Sequence, residues 1–232
     1  MTTPTPTPIP TPTTTMPNIP TLFTSLTRHP WTLLRVLKST NPHDIQGPLY
    51  GTASFTSIPP TTTASPEEDK ESLTQILYTE TGTLPTTLGP NLQWKKSYIW
   101  RLTSPGNDLS VWFVKVAEPT VADYLFHGMV FGDREQSSQE LASRGSGEGG
   151  NGEGEGEEYV SAPVPPALQQ AGENGDTMVV TAKGNHLCIN DMYRTAYAFR
   201  VRRDDGEVVS WASRHVVKGP KKDQDIVNYY SV

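Results

Sequence analysis

The regular patterns in this chain alternate apolar and polar residues with a period of two. In the segment 31–38, for example, Trp31, Leu33 and Leu37 fall on one face of an extended chain, while Thr32 and Lys38 fall on the other. Successive side chains of a β-strand point to opposite faces, so this period is typical of a strand with one buried face. Further alternating segments are 51–55, 76–82, 96–102, 109–113, 178–182, 191–203, 208–218 and 226–230.

Short turns join these segments, and no helical period lies between them. Ser104–Asn107, Asp204–Gly206 and Gly219–Asp223 carry the Gly, Pro, Asn and Asp residues of tight turns. Parallel strands would need long crossovers, so the sheet is expected to be antiparallel. Many strands at hairpin spacing are compatible with a closed barrel or with a sandwich. We predict an all-β, antiparallel barrel of about eight or nine strands, because closure leaves no exposed strand edges, with a short helix over Pro20–Thr27.

Low-complexity sequence bounds the domain that can fold. Residues 1–19 are mostly Thr and Pro and are predicted to be a disordered tail. Two further stretches, a loop at 59–72 and an acidic Gly/Glu-rich insertion at 133–176, cannot bury enough apolar surface to order themselves. The sequence therefore predicts one barrel domain over 20–232, interrupted twice.

The charge is concentrated in the acidic insertion. Residues 133–158 hold eight acidic residues and two arginines, a formal charge of −6 that equals that of the whole chain. The rest of the chain is neutral overall, which argues against a nucleic-acid partner. The arginines of the segment 191–203 are accordingly interpreted as a solvated outer face.

Cysteine usage and hydropathy suggest a compartment. Cys188 is the only cysteine, so no disulfide can form within the chain, as expected for a reducing environment. We find no secretory signal and no apolar run near the ~20 residues that span a bilayer. A cytoplasmic or nuclear protein without membrane contact is expected.

The start of the periodic region resembles lipocalin-like barrels, in which a short helix closes one end above a tryptophan. Leu26, Thr27, the segment 31–33 and Arg35 carry this resemblance. His29 stands where lipocalins have a glycine two residues before the tryptophan. The classical lipocalin ligand site is therefore not transferred to this chain.

A second resemblance is more specific. The chain is similar to a fungal and bacterial domain-of-unknown-function family, six-three-one-four, from about Leu22 to Tyr230 outside the two insertions. The resemblance implies a lipocalin-like (calycin) barrel and no established activity. The matching motifs are GTASF at 51–55, YTETG at 78–82, YIWRL at 98–102, FH at 126–127, HLCINDMY at 186–193 and VKGPKKD at 217–223.

Two charged residues lie on strand faces that are otherwise apolar. Arg35 shares a face with Trp31 and Leu33, and Glu80 shares one with Tyr78. Burying either charge alone costs several kcal/mol, so each needs the other or a polar ligand. They are expected to form a buried ion pair or a pair that orients a ligand.

Aromatic residues supply the other candidates for a cavity wall. Tyr98, Trp100, Tyr193, Tyr197 and Trp211 would present rings and hydroxyl groups inside a barrel. Such residues fill the core of many small domains, and the same types line a ligand cavity. Both interpretations stay open at this level.

Histidine and cysteine residues raise the question of metal binding. His186 and Cys188 are two residues apart, and His127 could supply a third donor. Their spacing matches no established zinc signature, and a strand places His186 and Cys188 on one face for structural reasons alone. We therefore predict no metal and no cofactor.

Other motifs exclude the common enzyme classes or leave them without support. The GSGEGG stretch at 145–150 fits a dinucleotide fingerprint only formally, because no strand precedes it and no helix follows. Nucleophile elbows, phosphate-binding loops and His-Glu-x-x-His motifs are absent. An acid–base site would have to use Glu80 or Asp191 together with His186.

Three functions remain compatible with the sequence. The first is a binding module that holds a small, partly apolar ligand, oriented by Arg35, Glu80 or His186. The second is an enzyme on the same barrel that uses the acid–base residues. The third is an interaction module in which the Pro-rich tail is recognised by a protein partner. Barrel folds favour cavities, so binding is ranked first by analogy.

Overall fold

Each alternating segment forms a strand that pairs antiparallel with its neighbours in chain order. The computed structural model describes residues 18–59, 72–132, 159–168 and 176–232. These residues contain one α-helix, one short 3-10 helix (Thr86–Leu88) and ten strands. The bounds are α1 Ile19–Ser25, β1 Trp31–Ser39, β2 Gly47–Ile58, β3 Ser72–Thr83, β4 Gln93–Ser104, β5 Asp108–Lys115, β6 Glu118–Phe131, β7 Thr177–Cys188, β8 Asp191–Arg202, β9 Val208–Gly219 and β10 Lys222–Ser231.

Pairing of the first and last strands closes the sheet into a barrel. β1 and β10 run antiparallel, with Leu33 opposite Tyr230 and Arg35 opposite Asn228. Facing partners in a sheet point to the same side, so these four side chains all enter the interior. The predicted all-β antiparallel barrel with a short N-terminal helix is confirmed.

The number of strands differs from the prediction of eight or nine, because β6 was missed. Pairing between β5 and β6 shifts register three times between Val111 and Lys115, which marks bulges. Phe126 and His127 are consecutive and both buried, whereas an unbroken strand would bury only one of them. A bulge interrupts the period of two, and this is the pattern by which the other strands are recognised.

The helix α1 packs across the end of the barrel where β1 and β9 begin. Leu22, Phe23 and Leu26 are fully or almost fully buried in the core. Trp31 lies beneath the helix and donates its indole N–H to the Leu26 carbonyl at 3.1 Å. The backbone N–H of Val208 donates to the Ser25 hydroxyl at 3.1 Å. This end of the barrel is thereby filled with side chains.

Part of the segment between β6 and β7 is held on the outer surface. The carbonyl of Pro166 accepts hydrogen bonds from Arg200 Nε (3.1 Å) and from the Ser210 hydroxyl (2.6 Å), and Pro165 accepts one from Arg200 Nη2 (3.2 Å). The segment 159–168 belongs to the stretch interpreted as an acidic insertion. An outward-facing arginine of β8 therefore anchors a proline-rich piece of the same chain.

The remaining low-complexity predictions fall outside the described residues. They concern the Thr/Pro tail, most of the loop at 59–72, and most of the acidic insertion with its GSGEGG stretch. In the part of the chain that the structure describes, no helix has the length and apolar character needed to span a membrane.

Candidate functional site

A cavity of about 110 Å³ lies inside the barrel, between its middle layer and the end opposite α1. Its walls combine aromatic rings with a smaller set of polar groups. The aromatic lining residues are Tyr78, Tyr98, Trp100, Phe126, Tyr193, Tyr197, Trp211 and Tyr230. The others are Arg35, Glu80, Lys96, Val111, Ser213, His215, Val217, Ile226 and Asn228.

Most residues predicted for a cavity wall do line this cavity. They are Arg35, Glu80, Tyr98, Trp100, Tyr193, Tyr197 and Trp211, whereas His186 and Asp191 are not among its lining residues. The alternation of each strand had placed these seven side chains on the inward face. The interior is therefore neither a completely filled core nor a wide channel.

The buried charges form the pair that the sequence suggested. Arg35 is 7% exposed and Glu80 is 1% exposed. The Nη2 of Arg35 donates to both carboxylate oxygens of Glu80 at 2.7 Å. The Tyr78 hydroxyl donates to Glu80 Oε2 at 2.6 Å. Burial, the largest single effect, lowers the pKa of Arg35, but the charge and hydrogen bond of Glu80, together with Tyr230 and Tyr78, hold that pKa above its ordinary value.

A polar branch that the sequence analysis missed continues from Arg35. Its Nε donates to Asn228 Oδ1 at 2.7 Å, and Asn228 Nδ2 donates to the Ser213 hydroxyl at 2.9 Å. His215 Nε2 lies 3.2 Å from the same hydroxyl. Burial lowers the pKa of His215 to about 3, so the ring is neutral at physiological pH.

The missed residues did carry a signal in the sequence. Asn228 lies between Ile226 and Tyr230 on one strand face, and Ser213 and His215 lie between Trp211 and Val217 on another. The alternation of side chains along a strand places all three of these residues on the face that points into the barrel. Uncharged polar residues are common on both faces of a strand, so they mark a polar site less clearly than Arg35 or Glu80 do.

Tyrosine hydroxyls supply neutral donors within the cavity wall. The hydroxyls of Tyr78 and Tyr230 lie 2.8 Å apart, and burial raises both pKa values. Burial also raises the pKa of Tyr98 to about 12. These hydroxyls stay protonated and uncharged at physiological pH. Because Tyr78 already donates to Glu80, Tyr230 is the donor to the Tyr78 oxygen.

Lys96 stands at the mouth of the cavity with an exposed side chain. It is directly opposite Glu80 across the β3–β4 pair. Loss of hydration, followed by the Arg35 charge, lowers its pKa although the side chain reaches solvent. Beside it, the Trp94 ring packs on Gly82, where a Cβ would come within 2.6 Å of the ring, and lies 4.7 Å from the Arg35 guanidinium carbon.

The proposed acid–base residues do not converge. The His186 ring packs against the rings of Phe126 and Tyr193, at centroid distances of 5.5 and 6.2 Å. Asp191 Oδ2 pairs instead with Lys222 Nζ at 2.8 Å. Both oxygens of Glu80 are already engaged by Arg35 and Tyr78. Glu80, Asp191 and His186 therefore form no carboxylate–imidazole pair for proton transfer.

The histidine and cysteine residues considered for metal binding do not form a metal-binding group of three. The thiol of Cys188 is free and half-buried. Within the described ranges, no group of three or more His, Cys, Asp or Glu side chains is placed to hold a metal ion. The cavity lining itself offers hydrogen bonding, charge and aromatic contacts.

His127 supports the cavity from behind its wall. Its Nδ1–H donates to the Gly128 carbonyl at 3.0 Å, which leaves Nε2 to accept from the Tyr197 hydroxyl at 2.9 Å. The ring is 1% exposed, and burial lowers its pKa to about 4. A neutral His127 thereby fixes the Tyr197 ring that lines the cavity.

The lowered pKa of His127 predicts a loss of stability in mild acid. The unfolded chain takes up this proton near pH 6.5, whereas the folded protein takes it up only near pH 4. Between these values the unfolded state binds more protons, so stability falls as the pH falls. One such histidine accounts for about 2 kcal/mol between about pH 7.5 and about pH 5.

His127→Gln removes the titrating ring and keeps an acceptor for Tyr197. In urea unfolding, this variant should lose about 2 kcal/mol less than the wild type over that pH interval. His43→Gln changes an exposed loop histidine and should leave the pH dependence unaltered. An unchanged pH dependence in His127→Gln would show that the buried ring is not its source.

Comparison with known proteins places the chain in a family. The model of a family of unknown function, DUF6314, matches residues 28–144 and 168–232, which together make up well over half of the chain. No curated protein and no solved structure gives a significant match. The matched region includes all ten strands and every residue of the cavity wall, and it leaves out residues 145–167 between β6 and β7. The chain therefore belongs to the DUF6314 family.

Proposed function

We propose that the barrel binds one small, partly apolar molecule in its interior cavity. The observation that carries the proposal is the combination of unfilled volume with a buried polar network at one side of it. A fully packed core would leave no such volume. Ligand sites are usually apolar and aromatic, with a few convergent polar groups that set orientation. The lipocalin-like character of the barrel, with a helix closing one end, is part of this proposal.

The size of the cavity limits the ligand. A protein cavity of about 150 Å³ holds benzene, so about 110 Å³ suits a molecule of roughly one ring whose polar end reaches the mouth. Long-chain lipids and large cofactors are too big for it. The polar network of Arg35, Glu80 and Asn228 would orient the ligand, and the rings would contact its apolar part.

Native mass spectrometry of the full chain purified from its own host tests the proposal. A reproducible extra mass that disappears on denaturation is expected. Val217→Phe should abolish it, because Val217 lines the cavity and is 2% exposed. Val216→Phe adds the same ring to the outer face of β9 and should retain the extra mass.

Two results would contradict the binding function. One is an extra mass that persists in Val217→Phe while circular dichroism shows both variants to be folded. The other is a wild-type chain without extra mass whose tryptophan fluorescence does not respond to any member of a set of one-ring fragments. Trp100 and Trp211 line the cavity and would report such binding.

A further inference from the structure

We infer that the ligand is a single-ring aromatic molecule with one negative charge, whose anionic group lies at Lys96 and whose ring lies among Tyr98, Phe126 and Tyr193. This inference rests on the proposed function and names the ligand class for the same cavity. Three independent features carry it: the charge left over at the mouth, the arrangement of the rings, and the volume.

The charge at the mouth is positive. Among the lining residues, Arg35, Glu80 and Lys96 carry formal charges. Arg35 and Glu80 neutralise each other through two contacts of 2.7 Å. The ammonium group of Lys96 makes no hydrogen bond or ion pair within the described residues, so one positive charge remains for a ligand.

The electrostatic balance at Lys96 points in the same direction. Loss of hydration is the main cause of the lowered pKa of Lys96, and repulsion from Arg35, which exceeds the attraction to Glu80, adds to it. A ligand anion at the mouth would relieve that repulsion. A ligand cation would meet both Arg35 and Lys96, while the Glu80 oxygens are already occupied by Arg35 and Tyr78.

The rings nearest the mouth pack on one another and form an aromatic wall against which another ring can lie. Tyr98 and Phe126 are stacked, with centroids 5.8 Å apart and planes 16° apart. Tyr193 meets Phe126 edge-on, at 5.6 Å and 80°. Aromatic pairs favour such offset and edge-on arrangements at 4.5–7 Å. A ligand ring can add to this cluster, and about 110 Å³ leaves space for one ring.

Titration of three matched probes tests the inference. Benzoate, benzyl alcohol and benzylammonium share one ring and differ in charge. Binding to the full chain is followed by tryptophan fluorescence and calorimetry. We expect benzoate to bind tightest and benzylammonium weakest, with benzyl alcohol between them. Lys96→Gln should weaken benzoate about tenfold, which corresponds to about 1.4 kcal/mol, and leave benzyl alcohol unchanged.

Lys95→Gln is the matched control. Lys95 precedes Lys96 on β4, is exposed, and does not line the cavity. Lys95→Gln therefore removes the same charge as Lys96→Gln, but from the opposite face of the strand. Benzoate affinity should stay within about twofold of the wild type, because exposed charges beyond the contact are largely screened. Equal weakening by both lysine variants would overturn the inference, since it would indicate general attraction by surface charge.

Other outcomes separate the ligand class from the function itself. If benzyl alcohol binds as well as benzoate and Lys96→Gln affects neither, the anionic assignment is wrong and the binding function stands. The same holds if no probe binds but the chain from its host carries an extra mass that Val217→Phe removes. If no probe binds and no such mass exists, both the inference and the proposed function are overturned.

Discussion

Replacing Glu80 by glutamine should lower the free energy of unfolding by about 3 kcal/mol. The variant removes a carboxylate that is 1% exposed and leaves the Arg35 guanidinium charged without its partner. Breaking a buried ion pair on one side is strongly destabilising because the remaining charge stays out of water. Urea unfolding at neutral pH measures the loss.

Asp225→Asn provides the isosteric control. Asp225 and Arg214 make a pair with similar distances, 2.8 and 2.9 Å, but their side chains are about a third exposed. Such pairs contribute little, so the control should lose less than about 1 kcal/mol. Equal losses in the two variants would show that water reaching the cavity hydrates Arg35, and that the inner pair is no more critical than an outer one.

The double variant Arg35→Met/Glu80→Leu separates charge from packing. Replacing both partners of a buried pair by apolar residues is often close to neutral. The double variant should therefore be more stable than Glu80→Gln. It should also lose binding of the benzoate probe, if the polar network orients the ligand as proposed. A double variant less stable than Glu80→Gln would contradict this. It would mean that leaving Tyr78 and Asn228 without their hydrogen-bond partners costs more than leaving Arg35 without its counter-charge.

Replacing Phe23 by alanine should cost about 3–5 kcal/mol, the range found for large aromatic residues removed from a packed core. Phe23 is fully buried, and it belongs to the helix that closes the end of the barrel. α1 has only seven residues and cannot be stable alone. Losing its largest core contact should therefore loosen the helix as a whole.

The fluorescence of Trp31 reports this loosening directly. Its indole is fully buried and bonded to the Leu26 carbonyl. In Phe23→Ala, quenching by acrylamide should increase together with the loss of stability. Thr24→Ala changes the exposed neighbour and should stay within about 0.5 kcal/mol of the wild type. A loss below about 1 kcal/mol in Phe23→Ala would show that the barrel holds its closed end without the helix.

Local patterns were sufficient for the strands and for the inward faces. The period of two marks nine of the ten strands, since an extended chain exposes alternate residues to one side whatever its neighbours are. The same rule placed Arg35, Glu80 and Tyr98 inside. It failed at β6, where a bulge sets Phe126 and His127 on the buried side in succession.

The wall of the cavity depended on contacts that no local pattern contains. Arg35, Glu80 and Asn228 come from β1, β3 and β10, and they meet only because β1 pairs with β10. His186 shares an inward face as predicted, yet its ring packs on Phe126 and Tyr193. Sequence periodicity states which side of a strand a residue occupies but not its height along the barrel.

The sequence by itself thus determined an antiparallel barrel, its short helix and a set of inward-facing polar and aromatic residues. These follow from alternation and turn chemistry within a few residues of one another. The tertiary structure decided that ten strands close the sheet, that Arg35 and Glu80 neutralise each other, and that Lys96 is left at the mouth of a cavity of about 110 Å³. Those outcomes depend on strand register and on the packing of side chains from opposite walls, which only the closed barrel brings within contact distance.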